Sequence, residues 1–415
     1  MKLHHHLISQ IVEGLRDIFT EARYADKVIE YRFKTHPKWG ARDRKLFAES
    51  VYDIVRGWRW YWHLADLPDA DCMKPDAITG HRLWLVWAAY SWKQNGMAPT
   101  FDEAVNFNAT KARAQESLRI SQAVRVSVPD WLFDLGQKEI GTPWPAMLDA
   151  LNKPADVFLR CNTLRIQASE LLEKLAMESI SAELVKGLPD ALRLTERRNI
   201  FTSPSFKEGL FELQDGASQH VAPFLQVAPG MRVVDACAGA GGKALHLAAL
   251  MRNKGRIIAL DVHEYKLTEL RRRAARDGAD NIETRVIEGS KTIKRMAHSA
   301  DRLLLDVPCS GLGVLRRNPD AKWKLSITEI TRLQELQRTI LKDYARIVKP
   351  GGKLVYATCS VLPSENENQV QAFLSEHGDQ WSLEEELKLS PDRDGFDGFY
   401  AARLVRGAET GVKVA

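Results

Sequence analysis

Residues 231–244, MRVVDACAGAGGKA, decide the fold of the chain. A short apolar run at Val233 and Val234 ends in Asp235, a glycine cluster follows, and residues 243–250 have the composition of a helix. A strand, a tight glycine turn and a helix form the opening unit of a nucleotide-binding doubly wound sheet. Glycines let the backbone approach a ligand closely, and a new helix offers free N–H groups. We therefore expect a ligand with a carboxylate or phosphate at this turn.

The same stretch leaves two ligand classes open. Gly239, Gly241 and Ala244 fit the spacing of a dinucleotide fingerprint, and Asp261, which ends the segment RIIALD, lies at the right distance for a ribose contact. Both a dinucleotide and S-adenosylmethionine (SAM) carry ribose hydroxyls that such an acid would bind. The glycine turn alone therefore fits a nicotinamide or flavin enzyme as well as a SAM-dependent methyltransferase.

Composition restricts the classes of protein. The 415 residues suggest two or three domains, and the 45% of hydrophobic residues are enough for large cores. No apolar run reaches the roughly 18 residues that span a membrane, and the start, MKLHHHLISQ, has no signal-peptide core. We therefore expect no membrane contact and a cytoplasmic location. The net charge of +5 is compatible with a nucleic-acid partner.

The cysteines do not form a structural framework. Their number is odd and none belongs to a C-x-x-C pair, which argues against disulfides and zinc: Cys72, Cys161, Cys237, Cys309 and Cys359. The three histidines at 4–6 have no further ligands near them, so no metal is expected. Free thiols fit a reducing cytosol, where one or two of them can be chemical.

The pattern along the chain predicts three domains and a tail. Residues 1–125 are helical, 126–215 form a small α/β subdomain of RRM-like type, 216–405 alternate strands with helices, and 406–415 form the tail. The helical part has a basic edge at Arg42, Arg44 and Lys45. A solvated charged face and an RNA contact both fit that edge.

Alternation of strands and helices after residue 216 predicts a mostly parallel sheet. We predict strands near 231–235, 256–261, 283–288, 302–306, 353–358 and 398–406, and helices near 243–251, 263–277, 326–348 and 364–376. The small subdomain is predicted to have a helix at 168–177 and strands at 157–165, 180–185, 191–194 and 199–201. The basic residues of the helix at 263–277 are assigned to its solvated face: Lys266, Arg271, Arg272, Arg273 and Arg276.

Two cysteines follow neighbouring strands of this sheet. The fourth strand ends in Asp306-Val-Pro-Cys309, and the fifth ends in Thr358-Cys359. Adjacent parallel strands present their carboxyl ends to one ligand crevice, so both thiols and Asp306 are expected beside the glycine turn. A dehydrogenase has no obvious use for this trio. The combination favours chemistry over packing.

A cytosine methylase does use such a trio. Carbon 5 of the pyrimidine is too weak a nucleophile to attack a methyl donor until a thiolate has added at carbon 6. An acid at N3 meets the charge that this addition creates, a role for which Asp306 is suited. The proton at carbon 5 must then leave and the thiolate be expelled, and a second thiol can assist that release.

The sequence resembles the Nop/Sun family of RNA cytosine-C5 methyltransferases. The matching motifs are DACAGAGGK (235–243), LDV (260–262), DVPCSGLGVLRRNPDAKW (306–323), YATCSVLPSENENQV (356–370) and the lead-in FELQDGASQ (211–219). The resemblance covers residues 155–405. Further forward, RDRKLFAESVYDIVRG resembles the NusB-type helical RNA-binding domain of bacterial ribosomal-RNA members.

The resemblance implies a fold and an activity. The fold is a class I SAM-dependent methyltransferase, a Rossmann-like doubly wound sheet, with an N-terminal all-helical domain and a small α/β linker subdomain. The activity is formation of 5-methylcytosine in RNA, with ribosomal RNA expected, transfer RNA as the alternative, and a monomeric protein. A protein that keeps the fold but only binds RNA or assists ribosome assembly is the competing hypothesis. Asp306, Cys309, Cys359 and Lys243 argue against it.

The resemblance also assigns residues. Cys359 attacks carbon 6 and Cys309 promotes product release, whereas DNA cytosine methylases attack with the Pro-Cys cysteine. The catalytic set is Cys359, Cys309, Asp306 and Lys243. The cofactor set is Asp235, Cys237, Ala238, Gly239, Ala240, Gly241, Gly242, Lys243, Asp261, Glu288 and Asp306. The RNA set is Arg42, Arg44, Lys45, Arg316, Arg317 and Trp323, the last as a ring on which a splayed base stacks.

Two departures separate this chain from the family pattern. The usual Ala-Pro-Gly-Gly-Lys-Thr motif has Ala240 in place of proline and Ala244 in place of threonine. The aspartate that usually ends the third strand is absent, and Glu288 is the candidate for its adenine contact. Both departures suggest a divergent branch.

Overall fold

The computed structural model describes residues 4–408, which form two compact units. One unit comprises the described residues up to Pro154 together with Val314–Ile327. The other comprises Ala155–Gly313 and the described residues from Thr328 onward. No helix within 4–408 is both long and apolar enough to cross a membrane.

The first unit is helical. In α1 the residues Leu7, Ile8, Ile11 and Leu15 recur with helical period, and all of them are buried in the core of the unit. The helices of this unit are α1 (His5–Phe19), α2 (Ala25–Thr35), α3 (Ala41–Arg56), α4 (Trp58–Leu64), α5 (Gly80–Asn95), α6 (Ala109–Ser117), α7 (Gln122–Arg125), α8 (Asp130–Glu139) and α9 (Trp144–Leu151). Gly57 separates α3 from α4.

The segment Val314–Ile327 is part of the helical unit, although it follows the Pro-Cys motif. Its short helix α16 (Ala321–Lys324) carries Trp323, which is 8% exposed and whose indole N–H donates to the carbonyl of Val55 at 2.7 Å. The Lys322 Nζ donates to the carbonyl of Arg56 at 2.7 Å. These bonds satisfy carbonyls in the last turn of α3. They correct the expectation that the Trp323 ring is available for stacking on a base, because the ring belongs to the core.

The second unit begins with a small antiparallel sheet. Its four strands are β1 (Phe158–Cys161), β2 (Ala182–Val185), β3 (Leu188–Leu194) and β4 (Phe211–Leu213), in the order β2-β3-β1-β4, with α10 (Ala168–Met177) and α11 (Pro204–Lys207). The strand predicted at 199–201 is absent from the structure. Ile200 is buried as a single apolar anchor in a loop, and the Ser203 hydroxyl caps α11 directly after it. The fourth strand is β4 instead.

The main sheet of the second unit has seven strands in the order β10-β11-β9-β8-β5-β6-β7. They are β5 (Arg232–Asp235), β6 (Arg256–Asp261), β7 (Ile282–Val286), β8 (Ala300–Asp306), β9 (Val348–Thr358), β10 (Trp381–Leu389) and β11 (Phe399–Arg406). The first five are parallel, and β10 and β11 are antiparallel to their neighbours. The remaining helices are α12 (Gly216–Phe224), α13 (Gly242–Leu250), α14 (Glu264–Asp277), α15 (Ser290–Lys294), α17 (Ile327–Tyr344), α18 (Glu367–His377) and α19 (Pro391–Asp394).

Both faces of the main sheet are covered. Val233 packs on one face with Leu247 of α13, and its neighbour Val234 packs on the other with Ile340 of α17. A parallel strand with two buried faces has a continuous apolar run, as in β5, β6, β8 and β9. The strand β7 is polar and mostly half-buried, and it was predicted from the alternation of strands and helices. The edge strand β10 was not predicted, because it carries three consecutive glutamates and most of its residues are exposed. The doubly wound fold class is confirmed.

The three-domain division stays a prediction. The helical unit includes α8 and α9 and ends at Pro154, later than the predicted boundary at about 125. The small sheet and the main sheet belong to one compact unit. Of the predicted tail, residues 409–415 lie outside the described residues.

The burial of Trp323 predicts a stability effect. Trp323→Phe keeps most of the apolar volume but leaves the carbonyl of Val55 without its donor, so the free energy of unfolding should fall by about 1–3 kcal/mol. Urea denaturation measures it. Tyr31→Phe, at an exposed ring of the same unit, is the control and should change the free energy by less than about 0.5 kcal/mol. Equal stability of Trp323→Phe and the wild type would contradict the core assignment.

Candidate active site

The carboxyl ends of four neighbouring parallel strands bring the predicted side chains to one edge of the main sheet. Asp235 ends β5, Asp261 ends β6, Asp306 ends β8, and Thr358 ends β9 directly before Cys359. The order β9-β8-β5-β6 makes these ends adjacent. From β5 the chain passes to β6 on one side, and after β7 it returns to β8 on the other side of β5, so the edge is the topological switch point at which such sheets bind ligands.

The glycine turn is fixed to the neighbouring strand by Asp261. The Asp261 Oδ2 accepts the backbone N–H of Gly239 at 2.9 Å, and its Oδ1 accepts that of His263 at 2.8 Å. Gly241 has φ +87°, and a Cβ at this position would lie 2.3 Å from the Leu270 side chain. The turn therefore requires glycine at 241 for its conformation and its packing. A Cβ on Gly239 or Gly242 would meet only open space, which leaves room for a ligand beside the backbone.

Two arginines, Arg160 which is buried and Arg273 which is half-buried, hold the carbonyl groups of the same turn. The Arg273 Nη1 donates to the carbonyl of Ala240 at 2.7 Å, and the Arg160 Nη1 donates to that of Gly242 at 2.6 Å. Arg273 and Arg276 both pair with Glu212, which is 3% exposed. Two arginines of α14 are therefore directed inward, which corrects their assignment to a solvated face. Arg271 and Arg272 do lie at the surface, paired with Glu264 and Glu269.

Lys243 and Asp306 form an ion pair beside the thiols. The Lys243 Nζ lies 2.6 Å from the Asp306 Oδ2, and the lysine side chain is 11% exposed. Burial opposes the charge of Lys243, but the charge and hydrogen bond of Asp306 and the proximity of Cys359 raise its pKa above the ordinary value. The raised pKa keeps Lys243 a cation in the neighbourhood of Cys359.

The two cysteines are in contact. The Sγ atoms of Cys309 and Cys359 are 3.4 Å apart. The hydrogen bond with Cys359, burial, and the charges of Cys359 and Glu365 raise the pKa of Cys309 well above the ordinary value. The backbone N–H of Gly313 donates to the carbonyl of Cys359 at 2.9 Å, which joins the two cysteine loops. Burial and the contact with Cys359 therefore favour the protonated form of Cys309.

Burial also raises the pKa of the first residues of the glycine motif. The pKa of Asp235 rises to about 7, through burial and then the charge of Asp306. The pKa of the Cys237 thiol rises well above its ordinary value, through burial and then Asp235. Burial therefore favours the neutral forms of Asp235 and Cys237. In the same turn, the backbone N–H of Ala238 donates to the carbonyl of Leu260 at 2.9 Å.

Glu288 lies outside the contacts described so far. It is exposed and follows β7 by two residues, and its proposed adenine contact stays a prediction. Within residues 4–408, no group of three or more His, Cys, Asp or Glu side chains is placed to hold a metal ion.

The basic residues predicted to bind RNA belong to the helical unit. Arg42 and Lys45 are exposed on α3, and the Lys45 Nζ lies 3.9 Å from Glu49. Arg44 has a structural contact instead, because its Nε donates to the carbonyl of Trp39 at 2.9 Å.

Arg316 and Arg317 are half-buried in the segment Val314–Ile327 of that unit. The Arg316 Nη2 donates to the carbonyl of Pro154 at 3.4 Å.

Sequence reasoning missed three residues at this edge: Arg160, Glu212 and Glu365. Arg160 and Glu212 come from the small sheet, and only its packing on the main sheet brings them to the glycine turn. Glu365 accepts hydrogen bonds from Ser310 and Ser360. The sequence did contain a signal for the contacts of Glu365, because a serine directly follows each of the two cysteines.

Comparison with known proteins identifies the family of the chain. Residues 222–405 match the family model of 16S rRNA methyltransferase RsmB/F, and residues 128–201 match the ferredoxin-like domain of RsmF/B-like methyltransferases. A "Probable ribosomal RNA small subunit methyltransferase B" of Synechocystis sp. is 33% identical over 435 residues, 94% of this chain and 97% of the relative. The ribosomal RNA small subunit methyltransferase B of Sodalis glossinidius is 34% identical over 325 residues, 74% of this chain and 73% of the relative.

A solved structure shares the fold. The crystal structure of a methyltransferase homolog protein from Pyrococcus horikoshii is 29% identical, with a TM-score of 0.62 over 69% of this chain and 97% of that chain. A doubly wound sheet with this glycine turn and acid, and these relatives, define a SAM-dependent methyltransferase. The chain belongs to the 16S rRNA methyltransferase RsmB/F family. The dinucleotide alternative is thereby excluded.

The inward arginine of α14 predicts an effect on cofactor binding. Arg273→Gln removes the bond to the carbonyl of Ala240, so the turn should lose order and the Kd for SAM should rise roughly tenfold, equivalent to about 1.4 kcal/mol. Isothermal titration calorimetry measures it. Arg272→Gln is the matched control on the same helix, since its side chain pairs with Glu269 at the surface and should leave the Kd unchanged. The same Kd in both variants would show that Arg273 does not order the turn.

Proposed function

We propose that the protein forms 5-methylcytosine in ribosomal RNA through a covalent adduct between Cys359 and carbon 6 of the target base. The observation that carries this proposal is the pair of thiols 3.4 Å apart beside the Lys243–Asp306 ion pair. Direct methylation of an exocyclic nitrogen or a hydroxyl needs no thiol, whereas methylation of carbon 5 needs one nucleophile and assistance for its release. The relatives' names support ribosomal RNA as the substrate, with transfer RNA as the alternative.

The proposed cofactor contacts follow from the turn. SAM supplies an electrophilic methyl group when it is bound. The Asp261 carboxylate would accept the ribose hydroxyls, and the open space beside Gly239 and Gly242 suits the amino-acid part. Asp235, Cys237, Ala238 and the backbone of 239–243 complete the proposed contacts. Glu288 would face the adenine.

Addition is the first step. The Cys359 Sγ forms a bond to carbon 6, and the electron pair of the C5–C6 double bond moves into the ring, where N3 takes up a proton. The Lys243–Asp306 pair supplies this proton and meets the charge. Two features favour Cys359 as the thiolate. Lys243 is a cation close to it, and the raised pKa of Cys309 keeps the remaining proton on Cys309.

Methyl transfer and release complete the cycle. Carbon 5 would take the methyl group of SAM, which is held at the glycine turn and Asp261 and is left as S-adenosylhomocysteine, while N3 returns its proton to the Lys243–Asp306 pair and carbon 5 becomes tetrahedral. A base removes the proton from carbon 5, the C5–C6 double bond forms again, and the bond from carbon 6 to the Cys359 Sγ breaks. Cys309 lies within 3.4 Å of the departing sulfur and can donate a proton to it. Its proposed role is therefore in elimination.

The helical unit is proposed to hold the RNA. Its exposed cations Arg42 and Lys45 are suited to phosphate contacts, while Arg44 is used in the fold of the preceding loop. Arg316 and Arg317 follow the Pro-Cys motif and belong to the same unit. They are proposed to reach the RNA near the target base.

The two thiols predict different adducts. Cys359→Ala should abolish methyl transfer and form no covalent complex, because nothing adds to carbon 6. Cys309→Ala should still attack and methylate, then stall as protein linked to RNA. Denaturing gels of each variant with small-subunit RNA and methyl-labelled SAM measure both outcomes. The reverse pattern would exchange the roles. Wild type that binds the RNA without transferring methyl would support the assembly-factor hypothesis instead.

The exposed cations predict a salt dependence. Arg42→Glu with Lys45→Glu should weaken RNA binding and flatten the plot of log affinity against log salt, since fewer counterions are released. Filter binding from about 50 to 200 mM salt measures the slope. Lys138→Glu, a charge reversal at an exposed lysine of α8 in the same unit, is the control. An unchanged slope in the double variant would show that Arg42 and Lys45 form a solvated face and do not contact the RNA.

A further inference from the structure

Glu365 is a buried carboxylate between the two cysteine loops. It has 0% exposure and lies in the turn before α18. Its Oε1 accepts the backbone N–H of Ser310 at 2.8 Å and the side-chain amide of Gln337 at 3.0 Å. Its Oε2 accepts the hydroxyls of Ser310 and Ser360, each at 2.5 Å. Four donors thus occupy the acceptor sites of one carboxylate.

These donors belong to the loops that carry the thiols. Ser310 directly follows Cys309 after β8, and Ser360 directly follows Cys359 after β9. Their hydroxyl oxygens are 3.2 Å apart. Gln337 extends the contact, because its amide also donates to the carbonyl of Pro308 at 2.9 Å. One side chain therefore connects the residue after each cysteine, and through Gln337 the residue before Cys309.

Packing alone does not account for this carboxylate. All four donors are neutral, and a buried carboxylate without a cation at its oxygens is costly compared with apolar side chains of similar volume. The carboxylate contributes a fixed geometry, because its two oxygens hold residues of both cysteine loops. Reacting groups that shift by about 1 Å can lose roughly 10²-fold in rate. The charge also lies on the side of Cys309, whereas Lys243 lies close to Cys359.

We propose that Glu365 is a positioning residue for methyl transfer, which holds Ser310 and Ser360 so that the Sγ atoms of Cys309 and Cys359 stay in contact. The inference rests on the proposed function, in which one thiol attacks and the other assists release. Glu365 does not touch the base or the cofactor in this role. It acts through the two serines.

Two substitutions separate the hydrogen bonds from the charge. Glu365→Ala removes all four acceptor contacts. Glu365→Gln keeps the volume, and its amide nitrogen in the Oε2 position can donate to the two serine hydroxyls, which rotate to accept. The loops should therefore stay connected in the glutamine variant and separate in the alanine variant. Glu367→Ala is the matched control, because Glu367 is a carboxylate two residues away that pairs with Lys388 at 2.5 Å.

Capture of phenylarsine oxide measures the thiol contact without RNA. The arsenic forms bonds to two thiols and loses its oxygen as water, so tight binding requires both sulfurs at once. Cys309→Ala and Cys359→Ala define the affinity of a single thiol. We expect Glu365→Ala to bind the arsenical roughly 10²-fold more weakly than the wild type, as a bivalent contact becomes monovalent. Glu365→Gln and Glu367→Ala should bind it as the wild type does.

Methyl transfer kinetics form the second measurement. Glu365→Ala should lower kcat by roughly 10²-fold while the Kd for SAM changes little, and Glu365→Gln should recover most of this loss. Wild-type arsenical affinity in Glu365→Ala would overturn the inference, whatever happens to kcat. Weakened capture with an unchanged kcat would also overturn it, because the thiol contact would then not matter to the reaction.

The two proposals fail in different ways. If the wild type captures the arsenical but methylates no RNA, the proposed function fails while the role of Glu365 in thiol geometry stands. If Glu365→Ala does not fold, as judged by circular dichroism and SAM binding, Ser310→Ala with Ser360→Ala replaces it. This double variant removes both hydroxyl contacts but keeps the carboxylate with its backbone N–H and Gln337 donors. It should weaken capture at least roughly tenfold, and wild-type capture would overturn the inference.

Discussion

The parallel pairing of β5, β8 and β9 is the constraint on which the site depends. The register sets Asp235 opposite Leu304 and Asp306 opposite Ala357, so three chain segments that are distant in sequence end at one edge. A shift of one residue in such a strand would turn every side chain to the other face. The alternating burial of Val233 and Val234 in different cores prevents this shift. Catalytic geometry is thus fixed by the same apolar side chains that fix the fold.

The edge places charged groups in a region of low dielectric, where ion pairs and hydrogen bonds limit the cost of most of them. Lys243 pairs with Asp306, Arg273 pairs with Glu212, and Glu365 receives four neutral donors. An unpaired charge at comparable burial would cost several kcal/mol. The two cysteines also lie near charges of opposite sign. Lys243 is a cation near Cys359, whereas the charge of Glu365 contributes to the raised pKa of Cys309, so the two thiols lie in different electrostatic surroundings.

Most of the main sheet could be predicted from the sequence. A parallel strand buried on both faces has an apolar run, and in this chain the functional residue stands at or directly after the end of that run. The glycine turn, Asp261, Asp306 and the cysteines were found in this way. The edge strand β10 was not, since Glu384, Glu385 and Glu386 give it no apolar alternation. Contacts that depend on side-chain direction were also beyond the sequence. Arg273 and Arg272 are neighbours in one helix, yet one holds the glycine turn and the other lies in solvent. Trp323 was predicted to stack on a base, but in the structure its ring is part of the core of the helical unit.

The membership of Val314–Ile327 in the helical unit has a consequence for synthesis of the protein. The segment follows Pro154 by roughly 160 residues, and it supplies Trp323 and Lys322 to carbonyls at the end of α3. At translation rates of about 5–20 residues per second, the first nine helices leave the ribosome ~10–30 s before the chain that completes them. During this interval the last turn of α3 lacks the donors of that segment. The core of the helical unit is therefore completed only after the segment that follows the Pro-Cys motif has been made.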